Sequence, residues 1–256
     1  MFHEGAWCMG DLTDEELNCR IFARDLGCVC VNVEYRCVLP AYIQRSSVLT
    51  SASLAPEFKF PTGVNDCWDA LIWATKNSTT IAATPSRGLI VGGASAGGNI
   101  AAVIALHSRD TNFQPPVTGQ YLCVPALLPH DAVPKRFSHL YNSRTTSVSD
   151  PVLGKLDPSG IMQLYAPDPQ SPLWDPFNHK EGHRGVARTF FQVGGLDPLR
   201  DEAVLYDRVL RESGVLTRFE LYAGFGHMFW TNWPELEASK SFVRDTVRGV
   251  RWLLEG

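Results

Sequence analysis

Short apolar, β-branched runs alternate along this chain with longer segments whose apolar residues recur at helical spacing. That alternation limits the possible folds more than any other feature. Continuous or period-two apolar runs of about four to eight residues suit strands, and apolar positions three and four apart suit helices. The expected strands are 28–35 (CVCVNVEY), 88–92, 119–127 (GQYLCVPAL), 188–194 (RTFFQVG) and 216–223 (LTRFELYA). A capping box at Thr13-Asp14-Glu15-Glu16 is expected to open a helix that ends at Gly27. Further helices are expected over 62–77, 97–109, 200–213 and 235–254. Strands taken in turn with helices imply an α/β protein, a mostly parallel central sheet with helices on both faces. At 256 residues one domain, 1–256, suffices.

Two stretches break the rhythm. Residues 129–186 are rich in Pro, His, Ser and Asp and read as an insertion with short helices. Residues 37–53 (CVLPAYIQRSSVLTSAS) hold no acidic residue and no clear element, and read as an anomalous insertion.

Several function classes are disfavoured. A net charge of −4 gives no electrostatic case for nucleic acid or an anionic membrane surface as partner. No apolar run approaches the ~20 residues of a membrane span. The N-terminus, MFHEGAWCMGDLTDEE, lacks the basic start and apolar stretch of a signal peptide. The seven cysteines are scattered, with no Cys-x-x-Cys or His spacing for a metal, so buried free thiols in a reducing, cytoplasmic setting are expected. On a strand, Cys28 and Cys30 would share one face. Nothing in the chain fixes an oligomeric state.

The segment Gly93-Ala94-Ser95-Ala96-Gly97-Gly98-Asn99 lies between an expected strand and an expected helix. A sharp strand-to-helix turn would force Ser95 into strained backbone angles, and side chains two residues either side would collide, hence Gly93 and Gly97. The turn would hold the hydroxyl clear of the sheet at the positive end of the next helix, with the Ala96 N–H aimed at an oxyanion. Neither the G-x-G-x-x-G of a dinucleotide site nor the Gly-Lys-Ser/Thr of a P-loop is present, so no cofactor is expected.

A serine nucleophile needs a base, and the base needs an orienting acid. Asp197, in GGLDPLRDE, follows the strand RTFFQVG, and His227, in GFGHMF, follows LTRFELYA. Both fall at strand C-termini, where open parallel sheets keep their sites. Asp201 and Glu202 are rival acids, but they sit in the first turn of the next helix, where carboxylates serve as dipole partners. His107, His130, His139, His179 and His183 lack such a setting and read as structural or exposed. Near the start, His3-Glu4-Gly5-Ala6-Trp7 offers small residues whose N–H groups could approach a tetrahedral intermediate.

Together these segments resemble the hormone-sensitive-lipase branch of the α/β-hydrolases, which includes many microbial and fungal carboxylesterases. HEGAWCMGDL resembles that family's His-Gly-Gly-Gly tract. VEYR plus LAPEFKFP resembles its Tyr-Arg-Leu-Ala-Pro-Glu stretch, and GGASAGGN its Gly-Asp-Ser-Ala-Gly-Gly. The order Ser, Asp, His also agrees. The resemblance implies an α/β-hydrolase fold and an esterase in which Ser95 attacks an ester carbonyl, His227 shuttles the proton and Asp197 holds the imidazole. Gly5, Ala6 and Ala96 would receive the oxyanion, His3 would shape that loop, and residues 129–186 would form a partial helical cap. Trp7, Phe225 and Phe229 are candidate pocket walls, no metal is implied, and the partner is a small or medium acyl ester, a secondary-metabolite ester among them.

The departures are specific. Glu4 and Ala6 stand where the family has glycines, Ala94 replaces its Asp, and residues 37–53 split the Tyr-Arg-Leu-Ala-Pro-Glu stretch. The family places strands ahead of the oxyanion tract, so this sheet is expected to lack its first strands. A catalytically silent small-molecule binder and an inactive fragment are the competing outcomes.

Overall fold

The computed structural model describes residues 1–38 and 58–255. The stretch LAPE and all but Cys37 and Val38 of the 37–53 insertion lie outside the described residues.

Among the described residues the sheet has four parallel strands, in the order β1 (Ile90–Ala94), β2 (Gly119–Cys123), β3 (Arg188–Gly194) and β4 (Thr217–Tyr222). The register pairs Ala94 with Cys123, Cys123 with Gln192, and Gly194 with Tyr222, so all four strands end on one rim. Whatever follows Ala94, Gly194 and Tyr222 is delivered to that rim, and those continuations carry Ser95, Asp197 and His227.

Alternation along the strands sorts side chains between two cores. Leu122, Phe191 and Val193 face α2 (Thr62–Lys76), α3 (Ala96–Asp110) and α6 (Arg200–Glu212). Tyr121, Cys123 and Phe190 face α1 (Glu16–Leu26), the short α7 (Phe229–Asn232) and α8 (Glu237–Leu254). The expected doubly covered sheet is therefore present. Between β2 and β3 the chain forms α4 (Ser143–Thr146), α5 (Pro158–Tyr165) and three 3-10 turns, with no strand. Phe137, Tyr165, Trp174 and Phe177 from this stretch are buried in the first core.

Three expectations need correction. Residues 28–35 form no buried strand: only Val33 makes a bridge, to Phe2, while Val29 is 47% exposed and Cys28 and Cys30 are half-buried. With one neighbouring backbone, the run lies at the margin of the sheet. The other thiols are also free, with Cys8, Cys37, Cys67 and Cys123 buried. Thr13 caps nothing; its hydroxyl bonds Asp11, and Glu15 occupies the N-cap of α1 without a capping bond because its carboxylate is used elsewhere. Finally, β2 stops at Cys123 rather than 127, because Val124 takes a positive φ of 36° and Pro125 follows.

Candidate active site

Ser95 sits between β1 and α3 at φ 52°, ψ −113°, backbone angles that a non-glycine residue adopts only under constraint. Its N–H donates to the Cys123 carbonyl at 2.9 Å, and its own carbonyl accepts from Ala126 at 3.1 Å. A Cβ on Gly93 would stand 2.7 Å from the Gly97 carbonyl carbon and 2.2 Å from the Phe2 oxygen; one on Gly97 would stand 2.0 Å from that same oxygen. Both glycines are needed, and the first leaves room for the backbone of the second, as the turn requires. They also let the backbone of Phe2 and His3 lie directly across the turn, a second reason that sequence did not supply.

That crossing brings the N-terminal tract to the serine. Gly5 takes φ 109°, and Ala6 and Trp7 take φ 55° and 60°. A left-handed non-glycine residue costs about 1–2 kcal/mol, so the tract holds its shape against strain. His3 is fully buried, stacks on Tyr35 at 4.0 Å and accepts the Tyr35 hydroxyl on its carbonyl at 2.9 Å. Its Nδ1 bonds the Glu4 carbonyl at 2.7 Å. Burial lowers the His3 pKa, favouring the neutral ring. Ala96 opens α3, so its N–H has no partner within the helix.

Two carboxyls at this tract escaped sequence reasoning. Glu15 is buried beneath the turn and accepts the Ala94 N–H at 3.1 Å. Burial, then the neighbouring Glu4, pushes its pKa up to about 8. Glu4 is raised to about 7 by burial and by Asp14. The spacing of these residues held no signal, since Glu15 and Ala94 lie 79 positions apart.

Across the rim, His227 Nδ1 and Asp197 Oδ2 are 2.8 Å apart, and both side chains are buried. Asp197 Oδ1 accepts the Leu199 N–H at 2.7 Å, so both carboxylate oxygens are held. With Asp197 as its acceptor, Nδ1 carries the ring proton and Nε2 is left as the basic nitrogen. Burial pulls the His227 pKa down, but the Asp197 charge and hydrogen bond, then Asp150 and Glu4, outweigh it and the net shift is upward. Among the described residues no hydrogen bond joins the Ser95 hydroxyl to the His227 ring.

A cavity of about 1220 Å³ opens beside the serine, lined by Ser95, Ala6, Trp7, Asn99, Trp174 and residues of the 129–186 stretch. Trp7 stacks on Tyr165 and meets Trp174 edge-on. Phe225 and Phe229 do not line it: Phe229 is fully buried against Tyr222, Trp230 and Phe242, and Phe225 stacks on Phe229 at 4.5 Å. Both belong to the core on the opposite face. Asp201 and Glu202 are more than dipole partners. Asp201 accepts the Asn142 and Ser143 amides; Glu202 accepts those of Leu127 and Leu128, the Tyr141 hydroxyl and the Arg144 guanidinium. Among the other histidines, His183 is buried on the Pro176 carbonyl, His179 pairs with Asp110, and His107 packs edge-on against Trp68. His139 is exposed.

A model of the alpha/beta hydrolase fold family matches residues 44–231. The chain belongs to that family. This α/β-hydrolase is 34% identical over 253 residues to an AB hydrolase superfamily protein of Schizosaccharomyces pombe, covering 99% of this chain and 70% of that one. It is 28% identical to the versiconal hemiacetal acetate esterase of Dothistroma septosporum, over 98% of this chain and 72% of the esterase. Among solved structures, vibralactone cyclase superposes with a TM-score of 0.87 at 30% identity, covering 99% of this hydrolase and 70% of the cyclase. No helix among the described residues is long and apolar enough to cross a membrane.

Proposed function

We propose that this α/β-hydrolase is a serine carboxylic-ester hydrolase working through an acyl-enzyme. The observation that carries the reading is the buried His227–Asp197 pair at 2.8 Å, on the same sheet rim as a serine held at strained angles. Ser95 Oγ attacks the ester carbonyl while His227 Nε2 takes its proton. The carbonyl oxygen becomes an oxyanion received by the N–H groups of Gly5, Ala6 and Ala96. His227 then gives the proton to the departing alcohol, and water repeats the sequence on the acyl-enzyme to release the acid. Asp197 keeps the imidazole in the reactive tautomer and balances its positive charge. The serine–histidine hydrogen bond forms as substrate closes the site, since such bonds are often long before binding.

Residues 129–186 act as a partial cap over the acyl site, within a single catalytic domain of 1–256. The cavity has room for medium-sized as well as small acyl esters, a secondary-metabolite ester among them, and a relative named for a hemiacetal acetate supports an ester substrate. The free thiols support a reducing, cytoplasmic setting as part of this reading. Hydrolysis of p-nitrophenyl acetate and butyrate tests the reading. Wild-type protein should turn both over, and Ser95→Ala should lose about 10⁴-fold or more in kcat. Equal turnover by Ser95→Ala would remove the mechanism, and a folded protein inert towards both esters would favour the silent binder.

A further inference from the structure

A second carboxylate held against the His227 loop comes from the 129–186 stretch. Asp150 is 6% exposed, and its Oδ2 accepts the backbone N–H of His227 itself at 2.8 Å. Its Oδ1 accepts from Val152 at 2.9 Å and Leu153 at 2.8 Å, and its carbonyl accepts from Gly154 at 2.9 Å. One oxygen therefore reaches out to the histidine loop while the others tie down the turn that carries it. The approach leaves no spare room: a Cβ on Gly226 would stand 2.2 Å from Asp150 Oδ2. On either side of Asp150, Ser147, Val148, Leu153 and Gly154 line the cavity beside Ser95.

We propose that Asp150 is a positioning residue for His227, tying the seating of the base to the wall of the substrate cavity. The inference rests on the reading of His227 as the base. Asp150 acts in two ways. Its hydrogen bond fixes the peptide between Gly226 and His227, and so the height of the ring on the rim. Its negative charge lies close enough to favour the imidazolium formed when Nε2 takes the serine proton. The charged groups facing His227 come from three elements: Asp197 after β3, Glu4 in the N-terminal tract and Asp150 in the insertion. Burial opposes all three, and Asp150 is one of the groups that tips the balance upward. Because the turn also walls the cavity, a substrate that fills the cavity braces the residue that seats the base.

The test is Asp150→Asn, which keeps an oxygen acceptor and removes the charge. Two readouts are taken: NMR titration of the His227 ring, which needs no turnover, and the pH profile of kcat/KM on p-nitrophenyl butyrate. The His227 pKa and the acidic limb are expected to move to lower pH together, with kcat falling about 10- to 100-fold and KM nearly unchanged. A merely structural role would lower the active fraction and leave both pKa readouts in place. Unchanged titration in Asp150→Asn overturns the inference whatever happens to the rate. If Asp150→Asn does not fold, Gly226→Ala approaches the same contact from the other side, and an unaltered kcat there overturns it equally. Hydrolysis that survives Ser95→Ala marks failure of the catalytic reading instead, while the ring titration still reads the Asp150–His227 link.

Discussion

Glu202 binds three separate parts of the molecule to one buried carboxylate, and removing it gives a sharp test of how the site is held. Oε2 accepts the amides of Leu127 and Leu128 at 2.7 and 3.0 Å; Oε1 accepts the Tyr141 hydroxyl at 3.0 Å and Arg144 at 2.6 and 2.9 Å. Glu202→Ala strands two buried amides and one guanidinium. An unmade buried hydrogen bond costs about 1–3 kcal/mol, and breaking a buried ion pair about 3–5 kcal/mol. These penalties overlap, and Arg144, 30% exposed, can turn to water, so about 4 kcal/mol is the expected loss. For a chain of this size that lowers Tm by about 8–16 °C. Arg144→Ala leaves the fully buried Glu202 carboxylate its amides and the Tyr141 hydroxyl but no counter-charge, and should cost about 3 kcal/mol; Tyr141→Phe should cost about 1 kcal/mol. Urea unfolding followed by tryptophan fluorescence reads all three as shifts in midpoint at constant slope. A Glu202→Ala loss below about 1 kcal/mol, or one no larger than that of Arg144→Ala, would show that Glu202 does not hold these segments together.

Other expectations follow from the same structure. Gly249 lets α8 sit on the Phe190 ring, since a Cβ there would stand 2.0 Å from it; Gly249→Ala should cost about 1–3 kcal/mol in urea unfolding, and a neutral result would refute the packing. Because the His227 pKa is raised above 6.5 and the neutral ring is the proposed base, the acidic limb of kcat/KM should lie above pH 6.5, with rate increasing as pH rises. A profile flat from about pH 5 to 9 would contradict this. Glu15 is raised from 4.5 to about 8, so the folded state holds its proton more tightly and stability should fall as pH rises across that window. Glu15→Gln, which keeps an acceptor for the Ala94 N–H, should flatten that decline in melts taken at successive pH values; an unchanged slope would contradict it.

Much of the architecture was legible because local patterns and tertiary demands agree. RTFFQVG is a buried strand over 188–194 and GLIVGGASAGG turns from strand to helix at Ser95, as apolar runs punctuated by glycine should. The misreadings share a cause: the deciding partner lies far away in the chain. CVCVNVEY is as β-branched as a core strand, but composition carries no information on how many neighbours a strand will find. Thr13 to Glu16 match a capping box, yet Glu15 is drawn to the Ala94 amide. Phe225 and Phe229 flank His227 in sequence, and sequence proximity does not say which side of a loop a ring will face. Asp150 gave no signal at all, because its significance depends on the histidine 77 residues later.

The proposed chemistry depends on Ser95 as nucleophile, and covalent capture reads that most directly. A fluorophosphonate should add once per chain, and peptide mapping by mass spectrometry should place the adduct on Ser95, with none formed by Ser95→Ala. An adduct on a different residue, or none at all in a folded sample, would contradict it.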